Sequence, residues 1–225
     1  MKSIIFIAIL SLVANYSHAQ RNAVRSATRA TAPIDATVRS TVRTTAPAAA
    51  AATVKMERPA PKSVGVPVEI KNLRSKQYQK EFDKLVAQGY QPTKVEVKRQ
   101  QVIDYTDGET PQIAYWATFQ KFENGYGWIA RHALSAQAYQ TEFETWVAQG
   151  YVPISIGVGA TDGDEMYAVI FQKIPNAPQW VARHGLTLAD FNAQSQGFLQ
   201  QGYKLKTKTS CIKKGVAIYA AIWSK

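Results

Sequence analysis

The side chains able to do chemistry are few in this chain. Two histidines, His132 and His184, each follow an arginine inside a Trp-x-Ala-Arg-His segment that occurs as "GWIARHAL" and again as "QWVARHGL". A histidine working as a general base needs an orienting group and a target within hydrogen-bond reach, and a metal ion needs several converging ligands. Neither histidine has a cysteine or second histidine near it in sequence, and the two stand 52 residues apart. A residue that recurs in phase with a repeat points to a task every unit shares, which is packing and hydrogen bonding within or between units. Ser210-Cys-Ile-Lys213 matches the Ser-x-x-Lys of one serine-hydrolase class. That motif works at a helix start with partner motifs around it, whereas here it falls in a β-branched, strand-like stretch. Cys211 is the only cysteine. It cannot form an intrachain disulfide, and its apolar setting reads as a small hydrophobe rather than a nucleophile. The acidic tips Thr106–Glu109 and Thr161–Glu165 lack EF-hand ligand spacing and carry the Asp-Gly of a tight hairpin turn. No catalytic residue, metal or cofactor is expected.

What remains is cationic. The chain carries a formal charge of +11. From Gln20 to Lys62 there are eight basic and two acidic residues, a net of +6, against +4 for Ser63 to Lys225. This arm is built mostly of Ala, Thr, Ser, Pro, Val and Arg and has no aromatic residue, so it cannot bury enough apolar surface to offset its ordering entropy. It repeats itself as "VRSATRATAP" and "VRSTVRTTAP", keeping Arg25, Arg29, Arg39 and Arg43 in place. Exposed arginines on such an arm attract anionic surfaces through a salt-sensitive field; a solvated tether is the other reading. A second cluster, Lys204, Lys206, Lys208, Lys213 and Lys214, lies near the C-terminus. It reads either as an anion-binding stripe or as a lysine-guarded strand edge. Trp128, Trp180 and Trp223 likewise read as a sugar-stacking platform or as core.

The elements that position these residues come from an internal repeat. Gln-Gly-Tyr occurs at Gln88–Tyr90, Gln149–Tyr151 and Gln201–Tyr203. Before each marker lies an amphipathic helical stripe: Tyr78, Phe82, Leu85 and Val86; Tyr139, Phe143, Trp146 and Val147; Phe191, Phe198 and Leu199. Ser135 and Thr187 are N-cap residues, with Asp190 completing a capping box on Thr187, and Arg74 or Ser75 caps the first copy. The marker glycine then stops each helix. A strand, a hairpin and a closing strand follow, the last reading "AYWATFQK", "MYAVIFQK" and "IYAAIWSK". Aligned on the marker, Lys206 and Lys208 stand where the second copy has Ile154 and Ile156. The fold class is therefore α+β: three tandem repeats, each a helix on short antiparallel strands. Units of roughly 50 residues barely bury a core alone and should pack side by side.

With the unit written out, "WVARHGLTLADFNAQSQGFLQQGYKLKTKTS" and the closing "YAAIWSK" resemble the bacterial tandem repeat domain family. Such modules occur in exported bacterial proteins and before the β-lactamase-like domain of fungal polyglycine hydrolases. The resemblance covers about Val64 to Lys225. The first copy departs from it, with "PVEIK" in place of Trp-x-Ala-Arg-His. It implies a repeat module without the hydrolase domain, and as a second reading an accessory that presents peptides to a hydrolase encoded elsewhere.

Lys2, the apolar run Ile4 to Val13 and Ser17-His18-Ala19 read as a cleavable export signal, with no acceptor cysteine for a lipid anchor at Gln20. The expected organisation is a signal at 1–19, a disordered basic arm at 20–63, and repeats at 64–126, 127–177 and 178–225. The expected protein is exported, periplasmic or secreted, and does not insert into the membrane. Its expected partner is an anionic polymer or protein of the envelope or exterior rather than nucleic acid.

Overall fold

The computed structural model describes residues 60–100, 112–161 and 163–225. The export signal, the arm with Arg25, Arg29, Arg39 and Arg43, and the tip Thr106–Glu109 lie outside the described residues. The order is strand, helix, strand, strand, three times over. Unit 1 holds β1 (Lys62–Leu73), α1 (Ser75–Ala87), β2 (Gln91–Arg99) and β3 (Ile113–Glu123). Unit 2 holds β4 (Trp128–Leu134), α2 (Ala136–Ala148), β5 (Val152–Ala160) and β6 (Glu165–Gln172). Unit 3 holds β7 (Trp180–Leu186), α3 (Leu188–Gln200), β8 (Lys204–Lys213) and β9 (Val216–Ser224). Each unit makes its own three-stranded antiparallel sheet with the closing strand in the middle: β1-β3-β2, β4-β6-β5 and β7-β9-β8. The first and second strands of each unit thus lie at opposite sides of the last.

The local chemistry explains the repeat marker. Ser135 and Thr187 accept from the amides three residues on, and the Thr187 hydroxyl also donates to Asp190 at 2.8 Å. In unit 1 the cap is Arg74, which supplies no capping side-chain bond. At the other end Gly89, Gly150 and Gly202 sit at φ of +85°, +82° and +84°. The amides of Tyr90, Tyr151 and Tyr203 then reach back to Leu85, Trp146 and Phe198, the bonding of a Schellman stop. The tyrosine packs on the residue it bonds, Tyr151 on Trp146 and Tyr203 on Phe198. The lysine ending each unit, Lys121, Lys173 or Lys225, lies 4.6, 5.5 or 4.8 Å over that tyrosine ring. Gln-Gly-Tyr is a helix terminator tied to the closing strand.

Strand alternation gives the sheets of units 2 and 3 two buried apolar faces. In β6, Tyr167, Val169 and Phe171 join Leu134, Tyr139, Phe143, Ile156 and Val158 in the core under α2. The intervening Ala168 and Ile170 turn away, and they are buried in the core of unit 1 with Tyr78, Leu85, Val95, Val97 and Tyr115. Unit 3 repeats the pattern: Ala182, Ala220 and Ile222 complete the core of unit 2, while Ala221 and Trp223 belong to the core under α3. The back of each sheet therefore closes the front of the unit before it. One helix cannot cover a three-stranded sheet alone, and the next sheet supplies the missing layer.

The backs are shaped for close approach. Along β5 the back-facing residues are Ser155, Gly157 and Gly159. A Cβ on Gly157 would stand 2.8 Å from Val97 Cγ2 and 2.9 Å from the Val97 amide nitrogen. The Val95 amide donates to Ser155 Oγ at 3.0 Å, and that hydroxyl reaches the Val95 carbonyl at 3.4 Å. Ser155 thus satisfies the edge of β2 from the next unit, and Thr209 does the same for the Val158 amide at 3.4 Å. Gly157→Val is expected to lower stability by about 2–3 kcal/mol, because the obstruction includes backbone. Ser155→Ala is expected to cost about 1–3 kcal/mol by stranding a buried amide. Urea denaturation of both variants checks this; midpoints equal to wild type would exclude close stacking at β2 and β5.

Candidate functional site

The Trp-x-Ala-Arg-His strand works in alternation. Its Trp, Ala and His face the preceding unit, and its Arg faces its own helix. Trp128 packs edge-on against Phe82 at 5.9 Å, and Trp180 against Phe143 at the same distance. His132 enters a slot between Tyr78 and Tyr115, with ring centroids 4.9 and 5.2 Å away. His184 enters the equivalent slot between Tyr139 and Tyr167, at 4.7 and 5.5 Å. Arg131 stays in unit 2: it pairs with Glu142 at 3.2 Å, stacks on Trp146 and donates to the Ala130 carbonyl. Arg183 bonds the Ala182 carbonyl in the same way and lies over Phe198. The motif is a clasp between units.

The strand "PVEIK" of unit 1 occupies the same register. Val68 pairs with Phe119 as Ile129 pairs with Phe171, which puts Pro67, Glu69 and Lys71 at the clasp positions. It forms a full strand. With no unit before it among the described residues, it carries instead an ion pair between Glu69 and Lys71 at 2.7 Å. The back of β2 is charged too, with Glu96 bridged to both Lys94 and Lys98. Lys98 also lies 5.2 Å over Trp116. Ser75, free of capping duty, meets His132 Nε2 at 3.1 Å.

The C-terminal lysines do not form one stripe. The register shifts between Leu205 and Thr207, at the bulge shared by Thr93 and Ile154, so Lys206 has no partner opposite and is exposed. Lys204 is exposed beside Ser224. Lys208 points to the front, over the rings of Phe191 and Tyr219. Lys213 is half-buried and pairs with Glu165 of unit 2. Lys214 is the left-handed first residue of the Lys214-Gly215 turn, φ +48°. The strand setting also separates Ser210 from Lys213: three residues apart on β8, they face opposite sides. Cys211 packs against the core of unit 2, where burial pushes its thiol up to about 11, far from nucleophilic. Among the described residues no three His, Cys, Asp or Glu converge on a metal position, and no helix is long and apolar enough to cross a membrane.

The concavity that spans all three units runs along the stacked strands β2, β5 and β8. This groove of about 610 Å³ is lined by Lys94, Glu96 and Lys98 from unit 1, Ser155 from unit 2, and Lys206 to Ser210 from unit 3. Sequence reasoning found Lys206 and Lys208 but passed over Lys94 and Lys98. Aligning β2 on its own Gln-Gly-Tyr marker would have set Lys94, Glu96 and Lys98 opposite Ser155, Gly157 and Gly159.

Burial holds His132 down to about 4, with its Ser75 hydrogen bond and Asp83 opposing only in part, and burial lowers His184 as well. A histidine depressed in the folded state stabilises fully above its unfolded value of about 6.5, and that contribution is lost as pH falls toward 4. His132→Phe keeps a ring in the slot but cannot titrate. It should reduce the loss of stability between pH 6.5 and 4 by about 2–3 kcal/mol, read as urea midpoints across that range. An unchanged pH slope would exclude a neutral, buried His132.

Comparison with known families is consistent with the stacked-unit geometry. No curated protein matches the chain. A family model described as "Polyglycine hydrolase-like, structural repeat" matches three times, at residues 68–101, 125–174 and 177–225. The second and third matches each take in a whole clasp, helix and sheet, and the first takes in the second half of β1, α1 and β2. Three matches in tandem cover more than half of the chain, and the protein belongs to the polyglycine hydrolase-like structural repeat family.

Proposed function

We propose that this protein is an exported, non-enzymatic repeat module that holds an anionic polymer or protein of the cell envelope along the groove formed by β2, β5 and β8. The observation that carries the reading is the groove itself, where strands of all three units lie side by side and four lysines share the lining with one carboxylate. Lys94, Lys98, Lys206 and Lys208 supply the charge, and Thr93, Thr207 and Thr209 line the same concavity. Such a surface favours anionic chains through a summed field rather than a single pocket. The basic arm from Gln20 to Lys62 adds a second, sequence-distant source of the same charge. The leader reading of Met1 to Ala19 supports export.

Family membership favours a second reading, a module that presents peptide to a serine hydrolase encoded elsewhere. The two separate by salt and by ligand. Purified lipopolysaccharide and heparin serve as polyanion probes, and a Gly-rich peptide probes the other reading. On the first reading, polyanion affinity falls steeply between 50 and 300 mM salt, drops about tenfold in Lys94→Glu/Lys206→Glu, and weakens on removal of residues 20–62. Salt-insensitive binding of the Gly-rich peptide with no polyanion binding would replace it by the second.

A further inference from the structure

The face by which each unit receives the next is present in unit 3 as well. In units 1 and 2 that face has three parts. An aromatic pair, Tyr78 with Tyr115 or Tyr139 with Tyr167, takes the next histidine. A helix phenylalanine, Phe82 or Phe143, takes the next tryptophan. Two β-branched residues, Val95 with Val97 or Ile156 with Val158, meet the next back, and all four are nearly inaccessible. In unit 3 the aromatic pair is kept as Phe191 and Tyr219, stacked at 5.4 Å. Every other part is changed: Ser195 stands at the Phe143 position, Lys208 at Ile156 and Ser210 at Val158.

We infer that unit 3 ends the stack by chemistry: Lys208, from the unit's own β8, covers the slot that a following unit's histidine would fill, and its receiving face is closed to a further repeat. The Lys208 Nζ lies 4.5 Å from the Phe191 centroid and 5.2 Å from that of Tyr219, over both walls of the slot. Its distances resemble those of His184 to Tyr139 and Tyr167, so the cation replaces an aromatic edge against the same electron-rich ring faces. A docked unit would have to displace Lys208 from the rings or strip its water, and neither carries a compensating carboxylate in a Trp-x-Ala-Arg-His strand. Ser195 removes the phenylalanine that a docking tryptophan would contact. Trp223 fills the space from the strand side where unit 2 has Phe171, packing on Phe198 at 5.0 Å. The substitutions at 195 and 223 are complementary in volume, which keeps the core of unit 3 filled without a neighbour.

The test appends a second copy of residues 178–225 to the full chain as a fourth unit. With unit 3 unaltered, the appended unit should exchange its amide hydrogens fast and melt separately. With Ser195→Phe, Lys208→Ile, Ser210→Val and Trp223→Phe in unit 3, it should gain protection and melt with the stack in one transition. Docking on the unaltered unit 3, or failure to dock on the altered one, overturns the inference. In the natural chain Lys208→Ala should lower Tm by about 2–4 °C and Lys208→Arg should keep it, whatever the fate of the multiple variant. Equal melting of all three proteins would show that Lys208 does not cover the rings.

Discussion

A three-stranded sheet with a single short helix leaves half of one face and the whole of the other exposed, and the rest of this molecule follows from how that deficit is met. Each unit lends its back to its predecessor. The requirement is geometric before it is energetic, because backbone must approach backbone. Ser155, Gly157 and Gly159 present almost no side-chain bulk to Val95 and Val97. Once the sheets are that near, the edge amides of β2 and β5 are cut off from water, and the hydroxyls of Ser155 and Thr209 become obligatory partners. Small residues and hydroxyls on the back are thus two consequences of one contact.

The clasp strand solves the same problem at the other side of the sheet, where the helix stands and the gap is wider. There large rings are needed, and Trp128 and His132 reach into unit 1 as Trp180 and His184 reach into unit 2. A histidine fits better than a third tyrosine because it is smaller and has a polar edge that finds Ser75 at 3.1 Å. Burial keeps it neutral, so the clasp adds no buried charge at ordinary pH. At the junction of units 2 and 3 a further bond appears, the Glu165 to Lys213 ion pair. Burial alone would raise the Glu165 carboxyl, but the Lys213 hydrogen bond and charge outweigh it and hold the group below its ordinary value.

The helices, the caps of the second and third and the order of elements along each unit were legible because they rest on neighbours in sequence: a hydroxyl three residues from an amide, a glycine one turn past an aromatic. The twofold Trp-x-Ala-Arg-His motif was legible as scaffold through its phase alone. Its direction was not. Whether a back-facing histidine meets its own unit or the one before depends on how sheets stack, and no residue within the strand records that. The same blindness affected Lys206 and Lys208. They stand opposite two isoleucines for different reasons, one on a bulge and the other over the rings of a front face, and periodicity across a bulge cannot separate the two.

The stack therefore has two unlike ends, and the difference is forced. The back of unit 1 has no core of its own to protect, so it can be largely polar: Glu69 pairs with Lys71 and Glu96 with Lys94 and Lys98, beside Trp116 under Lys98. The front of unit 3 must still hold α3 against its sheet and cannot give up Phe191 and Tyr219; a lysine over the rings keeps the aromatic pair while wetting its outer side. Both solutions leave lysines at the ends and none on the groove-facing strand of the middle unit, where Ser155, Gly157 and Gly159 are needed for contact. On the proposed reading, a polyanion along β2, β5 and β8 would meet Lys94 and Lys98 at one end and Lys206 and Lys208 at the other, with the uncharged strand β5 between them. Such a surface would respond to charge spacing along a chain more than to the identity of any one group on it.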